Sequence, residues 1–400
     1  MNTPELVGMN ILMVTPYFFP ERGGLENYAY NIAKRLVKKG WNITVVCSTR
    51  ENKNGGVTID NIKILRLKPN FILSNTPIKF SLFSEILNRL RSGNFDLINA
   101  HTPVPYFADV SAMVSKLCND IPFVLTYHND LIKDSFLMNV VAKMYNFTIN
   151  LNTLSLAKKI ITPSPFCYNE SRFLQKFKDK LVWIPPGVDI EKYSTKESKR
   201  LHELYDLPES SKVVLFVGAM NRGHTHKGVH YLLRAFKKVL EKINDVYLVL
   251  VGKGDMIPEY QSMCVELKIF DRVVFTGFVE ESDLIRFYQS SDVVVLPSTT
   301  VQEGFGMVLI EAGACGKPVI GTRVGGMKYV IKDGETGLLV PPKDEMALAK
   351  AIVKLLQDED MAKKMGINGR KLVEEKYTWN RSIRLTEDVY TNVALKGEFT

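Results

Sequence analysis

The 400-residue sequence predicts an α/β fold of two consecutive domains, each a doubly wound parallel sheet. Three observations predict it. Short β-branched runs alternate with amphipathic helical stretches along the chain. That alternation restarts after a polar stretch, Glu191 to Ser211, rich in Lys, Glu and Ser. The length also suits two or three domains at ~150 residues each, enough for substantial cores without disulfide or metal staples.

The first run, Asn10 to Thr15, is continuously apolar, as expected of a strand buried on both faces. A turn through Pro16, Pro20, Gly23 and Gly24 follows. Leu25, Tyr28, Ala29, Ile32, Ala33, Leu36 and Val37 then recur at helical spacing until Gly40. Trp41 to Cys47 is the next predicted strand, which completes a right-handed parallel βαβ unit. Further strands are predicted at 62–67, 97–100, 123–126, 159–162 and 181–184. In the second half, strands are predicted at 213–217, 247–251, 273–275, 293–296 and 319–320, with a helix over 229–240. The boundary is drawn at 192, with a second domain over 193–379. Ligands of such sheets bind at the carboxyl ends of the strands, so the cleft between the domains is the expected site.

Composition removes several classes. A hydrophobic fraction of 46% with 24% charged residues is ordinary for globular proteins and excludes collagen-like, low-complexity and largely disordered chains. No run approaches ~18 apolar residues, so no membrane-spanning helix is expected, and the N-terminus lacks a basic-then-apolar signal segment. Cys47, Cys118, Cys167, Cys264 and Cys315 are odd in number and never form C-x-x-C, which suits a reduced, cytoplasmic chain. The net charge of +9 is uneven: residues 1–200 carry 26 Lys and Arg against 16 Asp and Glu, and residues 201–400 carry 26 against 27. A basic first half suits a membrane surface, a phosphorylated acceptor or nucleic acid without choosing among them.

Two common nucleotide chemistries are disfavoured. The turn Glu21-Arg22-Gly23-Gly24 is not G-x-G-x-x-G, and the second strand leads into Ser48-Thr49-Arg50 with no carboxylate for a ribose. Gly252-Lys253-Gly254 lacks the third glycine, and no P-loop is present. Gly23-Gly24 either lets backbone N–H groups approach a phosphate or makes a tight turn that binds nothing. Glu303-Gly-Phe305-Gly306-Met307-Val308-Leu-Ile-Glu311 is more informative. A helix opening near Gly306 leaves free N–H groups at Gly306 to Val308 for a diphosphate, with a carboxylate on either side for sugar hydroxyls. The bland alternative, a dipole partner and a solvated helix residue, leaves both glycines unexplained. Arg222 and Lys227 lie in the loop after the first strand of the second half, where a diphosphate needs cations.

Together these elements resemble the retaining glycosyltransferases of the two-Rossmann-domain (GT-B) type, family 4, over essentially the whole chain. The resemblance rests on Pro20-x-x-Gly23-Gly24-x-Glu26, His128, Pro185-Pro186-Gly187-Val188-Asp189, Arg222 to Gly228, Glu303-x7-Glu311, Gly325-Gly326 and 333–341. It implies transfer of a sugar from a nucleotide-diphosphate sugar to an acceptor hydroxyl with retention, giving an alpha linkage. It further implies that Arg222 and Lys227 neutralise the diphosphate, and that Gly24 and the amides near Phe305, Gly306 and Met307 bind phosphates and sugar. Glu303 would hold the sugar, Glu311 the ribose, the backbone at Phe278 and Val279 the base, and His128 the reaction centre. The family also implies that a last helix, 380–400, returns to the first domain, and that no metal or other cofactor is needed. The D-x-D at Asp358-Glu359-Asp360 reads as a solvated helical face, and His224-x-His226-x3-His230 shares its loop with the phosphate ligands. His101 reads as structural or acceptor-lining.

The acceptor, a glycan or a lipid-linked molecule, is assigned to the first domain. Basic amphipathic segments there, with Phe80, Phe83, Ile86, Leu87 and Leu90 in one and Phe136, Leu137, Val140, Val141 and Met144 in another, either rest on an anionic membrane at its cytoplasmic face or are core stripes. The competing function is a catalytically silent GT-B subunit or sugar-nucleotide-binding protein, against which the intact set of five polar site residues argues. Nucleic-acid binding is not expected, since basic residues interleaved with exposed aromatics are absent.

Overall fold

Alternate residues of the first apolar run face opposite ways: Ile11 and Met13 enter one buried cluster, Leu12 and Val14 another. A continuous apolar run adopts this arrangement in a sheet covered on both sides. The computed structural model describes residues 8–21, 23–51, 54–118, 121–131 and 136–395. The chain forms two units, Met1–Pro186 with Trp379–Thr400, and Gly187–Thr378.

The first unit runs β1 (Asn10–Thr15), α1 (Gly24–Lys38), β2 (Asn42–Ser48), β3 (Gly55–Ile59), β4 (Ile62–Leu67), β5 (Phe71–Leu73), β6 (Thr76–Ile78), α2 (Leu82–Ser92), β7 (Leu97–Thr102), α3 (Phe107–Leu117), β8 (Phe123–Tyr127), α4 (Phe136–Phe147), α5 (Ile149–Leu156), β9 (Lys159–Thr162), α6 (Pro165–Glu170) and β10 (Leu181–Trp183). Its main sheet has the order β10-β9-β8-β7-β1-β2-β4-β3. All neighbours are parallel except β3 and β4, so the sheet is mixed rather than wholly parallel. That hairpin turns through Asp60 and Asn61, both left-handed, which suits the twist of a two-residue turn. β3 is an exposed edge strand without an apolar run, so hydrophobic patterning does not mark it. A second hairpin, β5–β6, turns through Ser74 and Asn75 in the same way.

The second unit runs α7 (Arg200–Leu204), β11 (Lys212–Val217), α8 (Val229–Leu240), β12 (Val246–Val251), α9 (Ile257–Glu266), β13 (Val273–Gly277), α10 (Glu281–Ser290), β14 (Val293–Leu296), α11 (Met307–Ala314), β15 (Val319–Thr322), α12 (Met327–Val330), β16 (Gly337–Val340), α13 (Glu345–Gln357) and α14 (Glu359–Lys376). Its sheet, β13-β12-β11-β14-β15-β16, is entirely parallel. Leu232, Leu233, Phe236 and Val239 line the buried face of α8, at spacings that leave Lys237 and Lys238 in its last turn. Burying each such side chain contributes ~1.5–3 kcal/mol. The polar stretch 191–211 belongs to this unit and contains α7, whose Leu201 is buried.

The first unit pauses at Pro186, short of 192, because Val188 already pairs with Thr378 and donates to the Tyr377 carbonyl at 2.8 Å. The chain returns as α15 (Trp379–Leu395), which packs on α1 and places Trp379, Ile383, Val389 and Tyr390 in the cluster that holds Ile11 and Met13. Of the two amphipathic stripes, the first is core: Ile86 and Leu90 are buried, and Phe83 and Leu87 pack against them. Phe80 alone of that set is exposed, at 71%, next to exposed Phe71, Ile72 and Leu73. In the second stripe Val140, Val141 and Met144 are exposed, while the side chains of Phe136 and Leu137 lie outside the described residues. Among the described residues no helix is long and apolar enough to cross a membrane. All five cysteines are free thiols.

Candidate active site

In the second unit the strand order reverses at β11, between β12 and β14, and the loops after β11 and β14 flank that point. Open parallel sheets bind ligands at this position. The β11 loop forms a 3-10 turn over Arg222–Lys227 and ends at Gly228, whose φ of +76° is left-handed. A side chain there would meet the Pro297 carbonyl oxygen at 2.1 Å, so glycine lets the two loops touch. Thr299 N donates to the His226 carbonyl at 2.7 Å and ties them together. Across this seam Lys227 Nζ lies 2.9 Å from Glu303 Oε2, which also accepts from Ser298 Oγ at 3.2 Å. Burial pushes the Glu303 carboxyl up, but the Lys227 ammonium and the Ser298 hydroxyl hold it below its ordinary value, so it stays ionised.

Glu303 opens the Gly-x-Gly loop. Gly306 caps α11 in a left-handed conformation, φ +85°, and no side chain caps the helix, so its first N–H groups present a positive end. The loop is held from behind by Gly325-Gly326. Gly326 N donates to the Glu303 carbonyl at 3.0 Å, and a side chain on Gly326 would strike the Gly304 oxygen at 2.1 Å. Phe305 turns its ring inward, edge-on to Tyr377, so only its backbone is offered to a ligand. Met307 and Val308 follow, partly exposed, in the first helical turn. Glu311 is not solvated: Tyr288 donates to its Oε2 at 2.7 Å, and burial raises its carboxyl pKa.

Arg222 is 80% exposed at its side chain and lies 3.6 Å from Asp255, which also accepts from its backbone N–H at 2.9 Å. Lys253 sits over the exposed Phe278 ring at 5.0 Å, and partly buried Val279 follows it. The bare Gly252-x-Gly254 is a packing device: side chains at those glycines would meet Gly218 and Met220 backbone atoms at 1.9 Å. Among the described residues no group of three or more His, Cys, Asp or Glu is placed to hold a metal ion. His224 instead contacts Asn221 Oδ1 at 2.5 Å, the His230 ring lies tilted against Tyr231, and Asp358 of the D-x-D caps α14 by accepting from Met361 N.

In the first unit Gly23 caps α1, and the Glu26 side chain folds back over it, within 2.2 Å of where a Gly23 side chain would begin. Gly24 has open space where its side chain would be. Arg22 lies outside the described residues. His101, near the end of β7, brings Nδ1 within 3.0 Å of Nε2 of His128, just past the end of β8. The Tyr28 ring stands edge-on to His128. Burial pushes the His128 imidazole down to about 3, and burial with the facing His128 lowers His101, so both are neutral at ordinary pH. His101 Nε2 is buried without a partner, which favours the proton on Nδ1, donated to His128.

Patterning pointed to Lys227, Glu303, Glu311 and the glycines of this site but missed Tyr288, Ser298 and Asp255. Each of those three is one polar residue on an unremarkable helix or loop, with no local spacing signal. The paired units, each carrying polar groups on glycine-bearing loops at strand carboxyl ends, define a GT-B fold. Residues 197–372 match the family described as Glycosyl transferases group 1, and residues 22–192 match Glycosyltransferase Family 4. An uncharacterized glycosyltransferase of Methanocaldococcus jannaschii is 30% identical over 96% of this chain and 98% of its own. O-antigen chain mannosyltransferase C of Escherichia coli is 28% identical, covering 96% and 99%. Phosphatidyl-myo-inositol mannosyltransferase of Mycobacterium leprae is 26% identical, covering 97% and 98%. Among solved structures, sucrose-phosphate synthase of Thermosynechococcus elongatus superimposes with a TM-score of 0.78 at 24% identity, covering 97% and 100%. HepE of Anabaena in complex with UDP-glucose gives 0.74 at 21%, covering 96% and 100%. The chain belongs to the family-4, group 1 glycosyltransferases of the GT-B type.

Proposed function

We propose that this glycosyltransferase moves a hexose from a nucleotide-diphosphate sugar to an acceptor hydroxyl with retention, forming an alpha linkage, and needs no metal ion. The carrying observation is Lys227 paired with Glu303 beside the uncapped start of α11. Lys227 and the helix N–H groups bind the diphosphate, Arg222 adds charge from the rim, and the cations take the part a metal would play. Glu303 accepts from sugar hydroxyls, Glu311 from the ribose, and the backbone at Phe278 and Val279 borders the base. Gly24 offers its backbone to the phosphates, and His128 donates to the sugar. In the transfer the acceptor oxygen bonds to the anomeric carbon on the face the leaving group vacates. The carbon–phosphate oxygen bond breaks, and the acceptor proton passes to the departing diphosphate.

The acceptor is a glycan or a lipid-linked molecule. Relatives named for O-antigen chains and phosphatidyl-myo-inositol favour this class. The exposed Phe71, Ile72, Leu73 and Phe80, beside Lys68 and Lys79, are suited to an anionic membrane surface at the cytoplasmic face.

Melting curves with UDP, GDP and ADP and their sugar conjugates, without metal and with chelator, test the donor. One nucleotide series should raise the melting temperature, and Lys227→Ala should abolish the shift. No shift from any series, or an equal shift in the variant, overturns the assignment. Proton NMR of the product then reads the anomeric configuration, and inversion would refute retention.

A further inference from the structure

At the opposite end of the first unit's sheet, by the amino ends of β8 and β9, lies a cavity of about 960 Å³. His101 and His128 stand at carboxyl ends of β7 and β8, so this cavity is separate from the groups assigned to transfer. Its size falls in the range that encloses small-molecule ligands, ~300–1,000 Å³. Its floor is apolar: Ile121, Phe123, Leu156, Val182, Leu385 and Val389. Four lysines, Lys116, Lys158, Lys159 and Lys180, line it too, and among the described residues Asp388 is the one lining carboxylate.

Lysines near helix ends commonly serve the helix carbonyls, and two of these do part of that work. Lys180 Nζ donates to the Ser155 carbonyl at the end of α5 (2.6 Å), and Lys159 Nζ donates to the Asp179 carbonyl (3.0 Å). Those bonds fix two ammonium groups at the cavity without neutralising them. Among the described residues none of the four forms an ion pair with a carboxylate, whereas Lys34, Lys39 and Lys212 do. The Lys180 ammonium is disfavoured by burial and by Lys158, a repulsion that an anion between them would relieve. Outside the wall, α3 carries exposed Met113 and Leu117 on either side of Lys116 in sequence, which extends the apolar surface outward.

We propose that this cavity binds an amphipathic phosphate, a phosphate monoester whose apolar chain lies on the Phe123–Val389 floor while the lysines hold the head. Ammonium groups alone would take any anion, and the floor alone any apolar molecule. Their combination in one recess selects a ligand carrying both. A single molecule in solution, rather than a bilayer, is the occupant, because the apolar lining is recessed between α3, α5, β10 and α15 instead of standing out from the surface.

Calorimetry and melting curves with dodecyl phosphate below its micelle concentration test this on the full chain. One equivalent should bind and raise the melting temperature. Lys116→Glu with Lys158→Glu, both exposed and free of structural bonds to carbonyls, should weaken binding at least ~10-fold, about 1.4 kcal/mol, with the unliganded melt unchanged. Inorganic phosphate and dodecanol should each bind far more weakly than the combined molecule. Absence of binding, equal binding by the double variant, equal binding of dodecanol or phosphate, or a response only to phosphatidylglycerol vesicles overturns the proposal. None of these readouts depends on sugar transfer.

Discussion

Lys227 and Glu303, 76 residues apart in sequence, close a 2.9 Å ion pair between the loops after β11 and β14. Their side chains are only 17% and 12% exposed. Removing one partner strands a charge away from water. Lys227→Met should therefore destabilise the protein by about 3 kcal/mol and reduce turnover at least ~100-fold. The double variant Lys227→Met with Glu303→Leu should recover most of the stability in denaturant melts and none of the activity. The paired carboxyl is held below its ordinary value of 4.5. Its stabilisation is thus complete above that pH and is lost as pH falls through the lower folded value.

Glu311 has the opposite sign. Burial raises its pKa, so its ionised form costs the folded state energy once pH exceeds the folded value. Glu311→Gln keeps an acceptor for the Tyr288 hydroxyl and removes the charge. The variant should melt higher than the parent at neutral pH while losing nucleotide-sugar affinity, measured by calorimetry. A lower melt would refute the assigned cost.

The neutral His101–His128 pair predicts a flat activity profile with respect to imidazole between about pH 6 and 8. With His128 pushed down to about 3 from 6.5, the unfolded chain binds a proton first, so stability falls as pH drops from 6.5 towards that value. His128→Ala should cost about 100-fold in kcat as a lost hydrogen-bond donor, and a titrating limb near pH 6.5 would contradict the neutral pair.

Two glycines separate packing from ligand approach. Gly326→Ala forces a methyl against the Gly304 carbonyl and should destabilise by about 1–3 kcal/mol. Gly24→Ala meets nothing within 4 Å and lies at a helix start, so its stability should hold or rise slightly. Loss of donor affinity in Gly24→Ala with an unchanged melt would mark that open space as ligand space, and unchanged affinity would remove Gly24 from the site.

The parts readable from sequence are those where burial leaves a run or a period. β1 and α8 are continuous and helical-period patterns of the kind that folding on both faces of a sheet demands. β3 is an edge strand exposed from Gly55 to Thr58, so no buried alternation marks it. The α2 stripe shows the converse limit: its spacing is equally good for a membrane face and a core face, and only the positions of Ile86 and Leu90 in the buried cluster decide it. At the site, adjacency in sequence revealed Glu303 and Gly306, whereas Tyr288 joins Glu311 only through the packing of α10 beside α11.

The return of α15 to the first unit sets an order of completion during synthesis. The ribosome emits residues 1–186 first, yet Trp379, Ile383, Val389 and Tyr390, which that unit's core requires, emerge last. The second unit has its whole sequence available before them. The domain that begins first therefore finishes last, and a nascent chain halted short of Trp379 would hold a sealed second half beside a first half with its apolar cluster open to chaperones.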